Sequence, residues 1–239
     1  MGLHTADAIV LRRYPFRETS VIVSCLTDRF GKLKGIVKGL RASPTRHRSA
    51  MEPMTLNRLV FYDTRSSQLH LISQCELLSP FEQLQQDLET MRTAAFCVDL
   101  ADAVVPLEEP QPATYRLLKE TLERLCLHAG AQESVRAYFT VRLLRLAGFQ
   151  PQLGECTGCG AAIRHQGYWS PKQGGLLCPG CLHEDPQAEA DSSELLEALD
   201  TLSRSSQPVL LETTLVLALR RRLDTFLHWR LEHQLRTMT

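Results

Sequence analysis

Residues 21–38 read VIVSCLTDRFGKLKGIVK, and their pattern decides how the N-terminal third of the chain is built. Residues 21–26 and 32–38 are rich in β-branched and aliphatic side chains, and Asp28-Arg29-Phe30-Gly31 between them is turn material. The stretch therefore predicts two strands joined by a tight connection. Residues 6–11, 56–62 and 68–78 carry the same composition, so five short strands fall within the first 80 residues. That number and spacing predict a small barrel. The five-stranded OB-fold is the commonest solution of this size, and an SH3-like barrel shares the pattern.

The same stretch carries the first functional signal. Strand alternation places Lys32, Lys34 and Lys38 on one face with Ile36, and Leu33 and Val37 on the other. Three ammonium groups cannot all face a core. The segment that follows, GLRASPTRHRS at 39–49, is a polar loop with Arg41, Arg46 and Arg48. From Arg12 to Arg48 there are ten Lys or Arg, Arg13 and Arg17 among them, against two acids, Glu18 and Asp28. Residues 182–239 hold more acids than bases, and the whole chain is balanced at 27 of each sign. Asymmetry of this kind points to a polyanion at the basic end. We take Arg13, Arg17, Lys32, Lys34, Lys38, Arg41, Arg46 and Arg48 as candidate contacts to a sugar-phosphate backbone crossing the barrel. The competing reading is a solvated edge strand whose lysines discourage aggregation. Aromatic residues are sparse here, with Tyr14, Phe16, Phe30, Phe61 and Tyr62 available, which favours backbone contact over base reading.

Beyond the barrel the pattern becomes helical. Ser79-Pro80 reads as a cap followed by proline at the first helical position. Leu84, Leu88, Met91, Ala95 and Val98 then recur at helical spacing. Helices are expected at 113–128 before Gly130, at 132–147 before Gly148, at 194–204 after Asp191, and at 209–235. The last carries Leu211, Leu215, Leu219, Leu223, Phe226 and Arg230 on one stripe.

Four cysteines interrupt this region. Cys156 and Cys159 form one C-x-x-C pair and Cys178 and Cys181 another, with eighteen residues between them, inside the spacing of a zinc site. Gly158, Gly160 and Gly180 suit the tight knuckles, and the segment between the pairs reads as a short hairpin. Four thiolates complete a tetrahedral shell with no open position, so one structural zinc is expected in a ribbon. A redox dithiol and free thiols are the other readings of such pairs. His165 and His183 lie nearby as spare donors. Cys25, Cys75, Cys97 and Cys126 stand singly among apolar residues and are expected as small buried hydrophobes.

These observations predict an α+β multidomain chain: a small nucleic-acid-binding barrel at 1–79, OB-fold or SH3-like, a helical domain at 80–150, an inserted four-cysteine zinc ribbon at 151–186, and C-terminal helices at 187–239 packing with the helical domain. No signal peptide or membrane-spanning run is read from the sequence, so a cytoplasmic location is expected. Enzymatic signatures do not appear. The Gly31-Lys32 pair lacks the rest of a P-loop, no H-E-x-x-H occurs, and Cys178-Pro179-Gly180-Cys181 has no H-x-E upstream to make a deaminase. Glu108-Glu109 and Glu184-Asp185 sit beside prolines as turn residues. A non-enzyme is expected.

The run Ala8-Ile9-Val10-Leu11-Arg12-Arg13, then Glu18-Thr19-Ser20, Thr27, Gly31-Lys32 and Val37-Lys38-Gly39-Leu40-Arg41, resembles the N-terminal region of the bacterial RecO family. So does the order of barrel, helices, Leu146-Ala147-Gly148-Phe149 leading into C-x-x-C, ribbon and terminal helices. The resemblance implies a recombination mediator of the RecF pathway, associated with the nucleoid. Such proteins bind single- and double-stranded DNA, anneal complementary strands, contact the acidic tail of single-stranded DNA-binding protein, and with RecR help load RecA. It also favours the OB-fold over its rival. For the acidic tail it points to the helical domain, where Arg136, Arg142 and Arg145 beside Phe139 and Leu143 would pair a carboxylate and seat an apolar side chain. An RNA-associated barrel-and-ribbon factor is the alternative reading.

Overall fold

Five strands, β1 (Leu3–Phe16), β2 (Ser20–Thr27), β3 (Lys32–Val37), β4 (Leu56–Tyr62) and β5 (Leu69–Ser79), close into a barrel in the computed structural model of the chain. The structure describes residues 2–40, 50–63, 68–127, 130–163 and 166–231. The strand order is β1-β2-β3-β5-β4, closed by the pairing of β4 with β1. All pairings are antiparallel except β3 with β5, which run parallel. This is the OB arrangement; β2 to β5 lie where the composition placed them, and β1 runs from Leu3 to Phe16, well past the expected 6–11 at both ends. β1 serves two partners, pairing with β4 through Leu3 to Ile9 and with β2 through Ala8 to Phe16. A bulge between Val10 and Arg12 bends it around the corner. Inside, Ala8, Val10, Val23, Cys25, Leu33, Val37, Leu59, Phe61 and Ile72 form a continuous apolar core.

The turn between β2 and β3 is fixed from within. Thr27 Oγ1 donates to the Gly31 carbonyl at 2.8 Å and accepts from the Phe30 amide at 2.9 Å. Gly31 has φ +69°, and a β-carbon there would meet the Glu109 carbonyl oxygen at 1.9 Å. Only glycine fits.

The chain divides into two compact units, Met1–Gly130 and Ala131–Thr239. The first joins the barrel to α1 (Leu88–Val104) and α2 (Pro112–Leu127). The start of α1 differs from the expected one. Ser79 and Pro80 lead instead into a single 3₁₀ turn, Glu82–Gln85, and the helix proper is capped by Asp87, whose carboxylate accepts from the Thr90 amide at 2.8 Å. That cap resets the phase of the helix. Leu88 and Met91 face outward, while Ala94, Phe96, Cys97, Val98, Leu100 and Ala101 are buried.

The second unit holds α3 (Gln132–Leu146), a small sheet of β6 (Tyr168–Ser170), β7 (Gly175–Leu177) and β8 (Glu189–Ala190), then α4 (Ser193–Arg204) and α5 (Thr213–Leu231). The helices expected between 80 and 150 are therefore shared between the units, α1 and α2 with the barrel and α3 with the ribbon. α3 packs on both α4 and α5, burying Val135, Phe139, Leu143, Leu199, Leu219 and Leu223. α5 starts at Thr213 rather than at 209: residues 209–212 are not helical, and the Leu211 amide lies 3.5 Å from Ser134 Oγ as donor. Leu219, Leu223 and Phe226 of its stripe are buried as the spacing required, while Arg230 is exposed, its guanidinium 5.5 Å from the centre of the Phe226 ring. Trp169 of β6 is fully buried against Phe226 of α5, ring centroids 5.8 Å apart, which fastens the small sheet to that helix.

Candidate metal centre and nucleic-acid interface

The ribbon has too little apolar material to hold itself. Its core is Cys156, Leu177 and Cys181, with Ile163, Tyr168, Cys178 and Ala188 partly buried around them. The β6–β7 hairpin ends at Leu177 and delivers Cys178 directly; the 3₁₀ turn Pro179–Glu184 then carries Cys181 back, its amide donating to the Cys178 carbonyl at 3.0 Å. The other pair sits on a turn in which the Gly160 amide donates to the Cys156 carbonyl at 2.8 Å, with Gly160 at φ +73°. The four sulfurs lie within 4.8 Å of one another. Cys159 Sγ and Cys178 Sγ are 3.8 Å apart, which matches the roughly 3.8 Å edge of a tetrahedron with metal–sulfur bonds of about 2.3 Å.

The chemistry of the donor set fits a cation. Burial opposes ionisation of the Cys156 thiol, yet amide donors from Cys178, Cys159 and Gly158 outweigh it and draw the thiol down to about 6. The Cys178 amide alone sits 3.2 Å from Cys156 Sγ. The Cys181 thiol is pushed the other way by its hydrogen-bonded neighbours Cys159, Cys178 and Cys156 and by burial. Thiols packed this closely cannot all be anions unless a cation sits between them. This cluster can hold one metal ion with a complete shell. His183 turns away, its Nδ1 3.0 Å from the Gly180 carbonyl, and His165 lies outside the described residues.

The candidate cations of the barrel separate into groups. Lys34 and Lys38 are exposed on or just beyond β3. Lys32 is turned onto α1: its ammonium donates to the Asp102 carbonyl at 2.5 Å and lies 3.7 Å from the Asp102 carboxylate. Burial lowers its pKa although Asp102 opposes the shift. Arg13 is ion-paired with Glu52, and Arg17, in the β1–β2 turn, places its guanidinium 5.2 Å from the centre of the Phe16 ring. Arg41, Arg46 and Arg48 lie outside the described residues. The neighbouring Arg12 is ion-paired with Asp99 and Asp102, so three cations of the basic stretch serve structure.

Pairing register reveals a feature that composition did not. Tyr14 stands opposite Ile22, Ile22 opposite Ile36, Ile36 opposite Leu71, and Leu71 opposite Tyr62. These five residues form one row across all five strands on the outer face. Tyr14 and Tyr62 are 44% and 37% exposed, and the three aliphatics between them are half-buried. Lys34 and Lys38 flank Ile36 in the middle of the row. The signal was available only as strand parity, and the parallel β3–β5 pair that joins its halves cannot be read from local sequence. Phe61, by contrast, is core, and Phe30 stacks edge-on against it at 5.4 Å.

On α3, Phe139 and Leu143 are fully buried inside the second unit, so they offer no open apolar seat. Arg136 pairs with Asp224 at 2.8 Å. Arg142 and Arg145 converge on one acceptor, both donating to the Ser203 carbonyl, at 2.9 and 2.6 Å. Among the described residues no helix is long and apolar enough to cross a membrane.

Comparison with known families agrees with this geometry. The family described as Recombination protein O N terminal matches residues 1–81, the barrel, and Recombination protein O C terminal matches residues 85–239. Two proteins named DNA repair protein RecO are each 34% identical to the chain: that of Desulforudis audaxviator over 202 residues, covering 84% of this chain and 80% of its own length, and that of Symbiobacterium thermophilum over 207 residues, covering 85% and 80%. The protein of the same name from Moorella thermoacetica is 35% identical over 184 residues, 75% of this chain and 67% of its own. With a closed OB barrel, a four-cysteine centre and both family profiles spanning nearly its whole length, the chain belongs to the RecO family of DNA repair proteins.

Proposed function

We propose that this chain is a recombination mediator that binds DNA through the outer face of its barrel and works without a catalytic centre. The observation that carries the reading is the row from Tyr14 to Tyr62 with Lys34 and Lys38 beside it. The lysines meet phosphates, and the basic segment that follows β3 extends that contact along the backbone. The tyrosines give unpaired bases a stacking surface, which adds affinity for single strands without reading sequence. Such a surface holds strands and releases them unaltered, as annealing requires. Duplex DNA keeps the phosphate contacts and loses the stacking.

The four cysteines hold one zinc ion, which staples residues 151–186 and takes no part in a reaction. Family membership supports the partners: single- and double-stranded DNA, the acidic tail of single-stranded DNA-binding protein, and RecR, with which the chain loads RecA in the cytoplasm at the nucleoid. For the acidic tail, Arg142 and Arg145 on the Ser203 carbonyl supply paired cations. The apolar side chain of the tail must find a seat other than Phe139 and Leu143.

Annealing of complementary oligonucleotides coated with single-stranded DNA-binding protein, with and without this chain, tests the reading. The expected result is faster annealing that depends on Lys34 and Lys38. No acceleration, together with tighter binding to structured RNA than to single-stranded DNA, overturns it in favour of an RNA-associated factor.

A further inference from the structure

The four cysteines of the ribbon are not equally buried. Cys156 and Cys181 are 2% and 8% exposed and belong to the ribbon's small core. Cys159 is exposed and Cys178 is half-buried. Each knuckle thus contributes one buried cysteine and one that is less buried, and the sulfurs of the two less buried ones, Cys159 and Cys178, lie 3.8 Å apart. The other cysteines are poor competitors for an oxidant. Cys25 and Cys97 are buried, and burial pushes the thiols of Cys25, Cys75 and Cys126 up, which keeps them protonated.

We infer that Cys159 and Cys178 form an oxidation site for hydroperoxides, joining the two knuckles by a disulfide and releasing the metal. This rests on the zinc reading above. The Cys159 thiolate attacks the peroxide: an S–O bond forms, the O–O bond breaks, and the alkoxide leaves and takes up a proton. The Cys178 thiolate then attacks the sulfenic sulfur, forming the S–S bond and displacing hydroxide, which is protonated to water. Two thiolates, one hydroperoxide and two protons give one disulfide, one alcohol and one water. Cys156 and Cys181 remain as an incomplete pair of ligands, and zinc leaves. A thiol reductant and added zinc restore the site.

The cross-knuckle connectivity is distinctive in a tryptic digest. Cleavage after Arg145, Arg164, Lys172 and Arg204 puts Cys156 and Cys159 on one peptide and Cys178 and Cys181 on another. The full-length chain, its zinc content measured first, is treated with a tenfold excess of an alkyl hydroperoxide, on the order of minutes to hours. The expected result is zinc release in step with a disulfide that links the two peptides, with Cys75 and Cys126 still alkylatable. Variants Cys75→Ser and Cys126→Ser should release zinc at the parent's rate. A first disulfide confined to either peptide, or oxidation of Cys75 or Cys126 ahead of zinc release, overturns the inference while leaving the zinc reading intact. A chain purified without zinc overturns that reading and the inference with it.

Discussion

Asp102 of α1 is ion-paired with Arg12 of β1, ninety residues earlier, and the same carboxylate accepts from Ser24 Oγ of β2 at 3.0 Å. Lys32 of β3 donates to the backbone carbonyl of Asp102. One helical residue therefore collects donors from three successive strands, and Asp99 adds a second contact to Arg12 at 3.1 Å. All the charged members are largely shielded from water, with side chains 12–16% exposed. Asp102→Ala should leave Arg12 with Asp99 alone, Lys32 with only the backbone carbonyl and Ser24 Oγ without its acceptor, and lower stability by about 1–3 kcal/mol. Denaturant titration of the variant checks this; a loss within error of zero would mean the network is only decorative.

Lys32 and Lys34 should behave oppositely although two residues apart. Replacing Lys34 and Lys38 with Ala should flatten the dependence of log affinity on log salt by about 1.4 on single-stranded DNA, at roughly 0.7 per phosphate contact. Lys32→Ala should leave that slope unchanged and instead lower the melting temperature. Fluorescence anisotropy across a salt series separates the two effects. Equal slopes for all variants would move the phosphate contacts elsewhere.

Tyr14→Ala and Tyr62→Ala should each weaken binding to single-stranded DNA by about 1–3 kcal/mol, with the salt slope kept, because stacking releases no counterions. Duplex binding should not change, since its bases are already stacked. Phenylalanine at either position should restore affinity. Equal losses on both forms of DNA would argue that the tyrosines shape the barrel rather than touch bases.

Cys178→Ser should lose about one zinc per chain and open residues 151–186 to protease, at little cost in DNA affinity. Metal analysis and limited trypsin digestion report on the two halves of this outcome. A protease pattern that survives confirmed metal loss would deny the ion its stapling role.

Asp191 supplies a pH signature. Burial raises its carboxyl above the ordinary 3.8 despite Arg222 at 2.8 Å, which pulls the other way, and Glu189 adds to the rise. The folded state then holds this proton more tightly than the unfolded one. The contribution is therefore complete below 3.8 and is lost as pH rises through the raised value. Asp191→Asn removes that loss, so the stability of the variant relative to the parent should climb as pH rises through the window just above 3.8. Thermal melts at matched ionic strength across that range test it, and a flat difference would show that Arg222 compensates fully.

The barrel was legible because its information is local: β-branched runs, a turn at Asp28 to Gly31, and alternation that put Leu33 and Val37 inside and Lys34 outside. The four-cysteine cluster was equally plain, since two knuckles at fixed spacing leave little choice for where the sulfurs meet. What failed to show depended on partners far along the chain. Lys32 and Lys34 look alike in a strand, and only Asp102 of α1, 70 residues on, makes one of them structural. Phe139 and Leu143 read as a seat for an apolar side chain until α4 and α5 cover them. The phase of α1 turned on Asp87 outcompeting Ser79 as its cap, a difference of hydrogen bonding that spacing does not record.

The parallel pairing of β3 with β5 also sets a timetable for synthesis. The meander of β1, β2 and β3 is complete once residue 37 has left the ribosome, but Val37 must wait for Ile72 before its strand has a second neighbour. Arg12 waits longer still, for a carboxylate ninety residues downstream. At about 5–20 residues per second, the nascent chain carries an open sheet edge for about 2–7 s and an unanswered guanidinium for about 5–18 s. Over that interval Lys32 and Lys34 put charge on the unfinished edge, which disfavours its pairing with another chain.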